Sequence, residues 1–214
     1  MESNFKLILV DLEPELCKEF QIAFEGLPEV EVINGPFEKV EFDCIVSAAN
    51  SFGLMDGGVD GAITGYFGQQ MMKRVQEKII TDYHGEQPVG TSFIIRGNEE
   101  WNEGKNKYVA HTPTMRVPMN IRSTENVYQA MKAMLIAVQK FNDKIDDYVT
   151  HPDFNRINVV ACTGLGTFCG EVPFKKAAKD MRMAYDNFLN PPKIIDWDFA
   201  NVRNRQIFMS KISN

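Results

Sequence analysis

The stretch that most constrains this chain is Phe42 to Gly68, FDCIVSAANSFGLMDGGVDGAITGYFG. Asp43–Ala49 is a short apolar run centred on Ile45 and Val46 and ending in small residues, which predicts a buried strand whose end lies close to something. Asn50–Gly58 holds Gly53, Gly57 and Gly58, a loop whose backbone can reach φ > 0 or come close to a ligand. Val59, Ile63 and Phe67 are spaced four apart, so a helix starts near Gly58. A strand, a glycine loop and a helix start make an anion site, because free amides and the helix dipole both favour negative charge there. Neither the P-loop spacing nor the dinucleotide fingerprint is present.

The same grammar recurs near the other end. A strand over Arg156–Ala161 runs into Cys162-Thr163-Gly164-Leu165-Gly166-Thr167-Phe168-Cys169-Gly170, and a helix opens near Pro173. Ligands of open α/β sheets sit beyond the carboxyl ends of strands. Two such loops either grip a diphosphate from both sides through backbone amides or are unrelated tight turns. Asn50 carries donors and an acceptor that could orient a ribose hydroxyl or a water, or it shapes a turn. Asp60 could polarise a water or steady positive charge at a sugar carbon, or it merely complements the helix dipole. His111, ending a strand in HTPTMRVP, is a core histidine or a proton carrier near neutral pH. Arg116, in the loop after it, could reach a phosphate. His84 and His151 stand in polar surroundings and carry no functional expectation.

Elsewhere strand and helix patterns alternate. Strands are expected at Phe5–Val10, Val30–Ile33, Thr91–Ile95 and Lys107–His111, the last two joined by a charged surface loop with Gly97 and Gly104. Helices are expected at Glu13–Phe24, Gln69–Tyr83, Thr124–Phe141 (with Ser123 as its cap) and Phe174–Phe188. No repeat is present, so the fold class is a single α/β sandwich, a sheet covered on both faces. Residues 1–190 form the domain. Residues 191–214 form an extension packed on it, with an edge strand at Gln206–Met209.

The 214 residues carry a net charge of −6, which argues against gripping a nucleic-acid backbone by bulk charge. No segment is apolar for long enough to span a membrane, and the N-terminus lacks a signal peptide's apolar core, so a cytoplasmic location is expected. Cys17, Cys44, Cys162 and Cys169 form no metal-ligand spacing with each other or with histidine. They read as free thiols, and neither a metal nor a cofactor is expected.

The phrase SAANSFGLMDGGVDGA resembles the signature of the macro domain, the ADP-ribose-binding module: Asn, a spacer, then Gly-Gly-Val-Asp. That form resembles the branch of the family that hydrolyses ADP-ribose esters and glycosidic bonds, and the wording is similar to the macro-like subfamily of bacterial, phage and fungal proteins. The resemblance covers roughly Val30–Phe188 and implies a three-layer α/β/α sandwich with a mixed central sheet. It implies Asn50 and Asp60 as catalytic residues acting on a water held against the diphosphate, with Ala49, Gly57, Gly58, Val59 and Thr163–Gly170 around the ligand. The second loop matches the family at Gly164, Leu165, Gly166, Thr167, Gly170, Val172 and Pro173. It departs at Phe168 and Glu171, where the pattern has glycine. An ordinary side chain cannot take every angle that glycine takes, and a carboxylate there would repel a diphosphate. Phe168 could instead place an aromatic face against the distal ribose. The family's adenine-binding Asp is absent, because Gly35-Pro36-Phe37 stands in its place; Asp11, at another strand end, is a candidate substitute. The implied partner is ADP-ribose or an ADP-ribosylated target, or ADP-ribose 1″-phosphate. The alternative is a reader that binds without turnover.

Overall fold

A computed structural model describes residues 5–97, 106–147 and 155–212. Gly104 and His151 lie outside the described residues. Six strands form one sheet: β1 (Lys6–Asp11), β2 (Val30–Asn34), β3 (Cys44–Ser47), β4 (Phe93–Arg96), β5 (Tyr108–His111) and β6 (Val159–Cys162). Their order is β2-β1-β6-β3-β5-β4. All neighbours are parallel except β4, which pairs antiparallel with β5 at the edge, so the sheet is mixed.

Alternation along each strand sorts side chains to two cores, because successive residues point to opposite faces. Leu7, Leu9, Cys44, Val46, Tyr108, Ala110, Val160 and Cys162 face α1 (Pro14–Ala23), α4 (Asn126–Asp147) and α5 (Phe174–Leu189). Ile8, Val10, Ile45, Val109 and Ala161 face α2 (Gly58–Phe67) and α3 (Gln70–Tyr83). A helix layer on each face of a sheet is the three-layer α/β/α sandwich. The helices form for readable reasons. α1 has Pro14 at its first turn and buries Leu16, Cys17 and Phe20, and α3 buries Met71, Val75 and Ile79 at spacings of four.

Gln206–Met209 is helix rather than edge strand. It lies within α6 (Trp197–Ile212), whose start is capped by Asp196 Oδ1 accepting from Phe199 N–H at 2.8 Å. The apolar residues of α6 do not fall on one side, since Val202, Phe208 and Met209 are exposed while Ile207 packs on the core. Without a stripe, periodicity gives no helix signal.

The topology fixes where a ligand would sit. From β1 the chain crosses outward to β2, and from β3 it crosses the other way toward β4 and β5, with β6 between. Chain connections diverge about β6 and β3, and in open α/β sheets ligands sit beyond the carboxyl ends of strands at such a divergence.

Candidate functional site

The β3 and β6 loops leave adjacent strands, with Cys44 paired to Val160 and Ile45 to Ala161. In the first loop Asn50 bends the chain onto itself. Its Oδ1 accepts from Phe52 N–H at 3.1 Å and Leu54 N–H at 3.2 Å, and its Nδ2 donates to Leu54 O at 2.8 Å. Ala49 is buried and donates to Thr112 O at 3.1 Å, and Ser51 N–H lies 3.1 Å from both Met115 O and Arg116 O. The loop is therefore braced on the segment after β5. Gly57 is extended at φ −152°, and Gly58 takes φ +55°, which L residues avoid. No side chain caps α2. Among the described residues, the amides of Gly58, Val59 and Asp60 have no acceptor within the chain.

Asp60, in the first turn of α2, is buried beneath this loop and accepts from Ser47 Oγ at 2.6 Å. Burial pushes its carboxyl up to about 6; the Ser47 hydroxyl opposes that rise, and the negative charge of Asp56 adds to it. Ser47 is the site residue that sequence reasoning missed. A serine among small residues at a strand end gives no local sign of its partner, although its place on the same strand face as Ile45 would have put it toward α2.

The second loop is held by its own backbone. Val172 N–H donates to Gly166 O at 3.1 Å and Glu171 N–H to Phe168 O at 2.9 Å, while Gly170 O accepts from Ile121 N–H at 2.9 Å. The amides of Leu165, Gly166, Thr167, Phe168, Cys169 and Gly170 have no acceptor among the described residues. Such a run of free donors is the kind of arrangement that can receive an anion. The side chain of Leu165 is in the core, so only its backbone is offered. Thr163 Oγ1 is buried without a partner, whereas Thr167 Oγ1 lies 3.4 Å from Gly164 O. Gly166 has φ +71°, and a Cβ on Gly170 would meet Gly166 O at 2.4 Å.

The two departures from the glycine pattern have local solutions. Glu171 adopts φ +53°, the conformation a glycine would take there. Its carboxylate accepts from Asn120 Nδ2 at 2.6 Å. Phe168 and Cys169 are both exposed.

Asp11 lies at the end of β1 and fastens loops together. Oδ1 accepts from Glu13 N–H and Oδ2 from Gly164 N–H, each at 3.0 Å. Pro36 precedes a 3-10 turn, Phe37–Lys39, and the buried Phe37 belongs to the α2–α3 core. His111 pairs in register with Ser47 across β3 and β5. Its ring is fully buried and stacked on Phe93 at 5.2 Å between centroids. Gln87 Nε2 donates to His111 O, which leaves Gln87 Oε1 to accept from Nδ1–H at 2.6 Å. Nε2 is then a buried lone pair without a partner. Burial lowers the pKa of His111 to about 3, so it is neutral at physiological pH. Arg116 forms an ion pair with Glu86 at 2.8 Å.

Cys44 and Cys162 are buried thiols with raised pKa. Among the described residues no group of three His, Cys, Asp or Glu could hold a metal ion, and no helix is long and apolar enough to cross a membrane. A separate cavity of about 400 Å³, lined by residues of α1, α5 and α6 such as Ala23, Arg182 and Gln206, shares no residue with the loops.

The Macro domain family model matches residues 46–181. An uncharacterized protein of Aquifex aeolicus is 33% identical over 153 residues, 72% of this chain and 78% of that protein. Among solved structures, a point mutant of the Oceanobacillus iheyensis macrodomain with ADPR superposes with a TM-score of 0.57 at 17% identity, covering 99% of this chain and 95% of that one. The Oceanobacillus iheyensis macrodomain with ADP gives 0.53 at 20% identity, covering 83% and 86%. The matched segment runs from within β3 into α5 and takes in both glycine loops; the chain belongs to the macro domain family.

Proposed function

We propose that the protein binds ADP-ribose at the two glycine loops and hydrolyses its link to a target group. The observation that carries this is the pair of unpartnered amide rows beyond the carboxyl ends of two adjacent central strands, with the Asp60 carboxylate buried at the start of α2. The amides of Gly58–Asp60 and Leu165–Gly170 receive the diphosphate, where they act as charge-assisted donors. Binding of ADPR and ADP by the Oceanobacillus iheyensis macrodomain supports the choice of ligand.

In the hydrolysis, water attacks the anomeric carbon of the distal ribose. The bond from that carbon to the target's oxygen breaks as the water's oxygen bonds to it. Asp60 polarises the water and accepts its proton, since a carboxyl near 6 is mostly ionised at pH 7 yet basic enough to share a proton. Asn50 shapes the loop, and its remaining Nδ2 hydrogen orients the ribose. Phe168 covers the distal sugar. Asp11 keeps lone pairs free for an adenine amine, in place of the carboxylate that Pro36 does not supply. His111 takes no proton, because it is neutral and closed off. A cytoplasmic location and a C-terminal extension at 191–214 belong to the same proposal.

Calorimetry with ADP-ribose, then release of ADP-ribose from modified peptides and of phosphate from ADP-ribose 1″-phosphate, tests it. Asp60→Ala should keep binding and lose about 100-fold or more in turnover. One feature favours a reader instead: three of the hydrogen-bonding positions of Asn50 are spent on its own turn. Binding without turnover on every substrate would select the reader, and absence of binding would end both.

A further inference from the structure

The loops beyond β1, β6, β3 and β5 carry five exposed large apolar side chains: Leu12, Leu54, Val117, Met119 and Phe168, between 44% and 71% exposed. These four strands are consecutive in the sheet, with neighbours about 5 Å apart. Their loops are laced together by Ile121 N–H to Gly170 O at 2.9 Å, Ser51 N–H to Met115 O at 3.1 Å and Gly164 N–H to Asp11 Oδ2 at 3.0 Å. The side chains therefore ring the end of the molecule that bears the unpartnered amides. Single exposed apolar residues are ordinary, but a cluster around a polar cleft marks a contact surface.

Position and charge together select the occupant. The diphosphate loops follow β6 and β3, and Val117 and Met119 lie beyond β3, on the β5 loop. With adenine at Asp11 beyond β1, as proposed above, a diphosphate across β6 and β3 directs the distal ribose toward β5, so Val117 and Met119 would flank whatever is attached to it. The same loops carry Glu13, Asp56 and Glu171, and Glu86, which follows α3, joins them through its ion pair with Arg116. Of the two arginines on the β5 loop, Arg116 is paired with Glu86 at 2.8 Å and Arg122 donates from Nε to the backbone Glu171 O at 3.3 Å, so acidic groups outnumber basic ones on the rim. A polynucleotide would bring one phosphate per nucleotide against acidic side chains, on a chain of net charge −6. A peptide with apolar and basic residues would meet complementary chemistry.

We infer that this rim docks a polypeptide carrying the ADP-ribose, one whose modified side chain is flanked by apolar and basic residues; this rests on the ADP-ribose reading of the site. The test measures affinity for four probes with non-hydrolysable linkages: free ADP-ribose, an ADP-ribosylated peptide with Leu and Lys flanks, the same peptide with Ser and Glu flanks, and an ADP-ribosylated single-stranded oligonucleotide. The Leu/Lys peptide should bind about fivefold or more tighter than free ADP-ribose. The double change Val117→Ser with Met119→Ser should remove that gain and leave affinity for free ADP-ribose unchanged. Docking is overturned if the oligonucleotide binds as well as the Leu/Lys peptide, if the two peptides bind alike, or if the double change leaves the gain intact or weakens every probe equally. Loss of free ADP-ribose binding in the unaltered protein would instead overturn the underlying functional reading.

Discussion

The Ser47 hydroxyl donates to Asp60 Oδ1 at 2.6 Å, joining the last residue of β3 to the first turn of α2 where both side chains are buried. Burial disfavours the ionised carboxylate, and this one donor favours it. The other elements near the pair are apolar or neutral: α3 contributes Met71, Val75 and Ile79 to this core, and β5 places neutral His111 beside Ser47. Asp56 is the charge that acts on Asp60. Removing the donor with Ser47→Ala should raise the Asp60 pKa above about 6, by about one unit if a charged hydrogen bond is lost. With ionised Asp60 as base, the acid limb of the pH–rate profile moves to higher pH, and Ser47→Thr keeps it near its original place. A merely structural serine would lower the rate at every pH by one factor.

The same buried carboxylate has a stability signature. Its folded pKa, about 6, lies above the ordinary aspartate value of 3.8, so between those values the folded state binds more protons than the unfolded one. Stability then falls as pH rises through this window, and the deficit is complete above about pH 6. At about 1.4 kcal/mol per unit, the cost at neutral pH is about 2–3 kcal/mol. Asp60→Asn should therefore stabilise the protein by up to that amount at pH 7, have little effect at pH 4, and abolish turnover. Urea unfolding of both proteins at the two pH values checks this, and an equal effect at both would contradict it.

Gly170 and Phe168 sit two residues apart and should fail differently. A methyl group on Gly170 would collide with Gly166 O and with Ile121 Cγ1. Gly170→Ala should cost about 1–3 kcal/mol and distort the amide row, so stability and ADP-ribose affinity drop together. The Phe168 ring is 64% exposed and absent from both cores. Phe168→Ala should leave stability within about 0.5 kcal/mol and weaken ADP-ribose binding about five- to tenfold. Thermal unfolding and calorimetry on each variant separate the two patterns.

Features written locally in the chain were legible. Glycine spacing, apolar alternation and helical periodicity placed both loops, all six strands and five helices, because each depends on neighbours along the sequence, although α4 continues to Asp147, past its expected end at Phe141. What stayed hidden depends on distant partners. Asp11 invites a helix-cap reading and does accept from Glu13 N–H, but its other oxygen holds Gly164, 153 residues away. His111 at a strand end reads equally as a core histidine or a proton carrier, and only its distant partners Gln87 and Phe93, which enclose the ring, favour the core reading. Helix α6 has no apolar stripe, and a capped start at Asp196 does not overcome that in a sequence reading.

One attachment of α6 runs to a buried charge. Lys176 and Asp180, one turn apart in α5, form an ion pair with side chains only 5% and 2% exposed. The Ser210 hydroxyl of α6 donates to the other Asp180 oxygen. Such a pair gains little over an apolar pair of similar size, because both ions lose their water, but half of it is costly since one charge remains buried alone. Asp180→Ala should therefore destabilise the protein by about 3–5 kcal/mol. The double change Lys176→Met with Asp180→Leu should recover most of that loss. Ser210→Ala removes this one hydrogen bond and leaves the Ile207 packing and the Arg203–Tyr128 contact, so α6 amides should exchange with solvent faster while those of α5 keep their protection. If Asp180→Ala and the double variant unfold at the same denaturant concentration, the penalty lies in lost packing and not in the stranded ammonium.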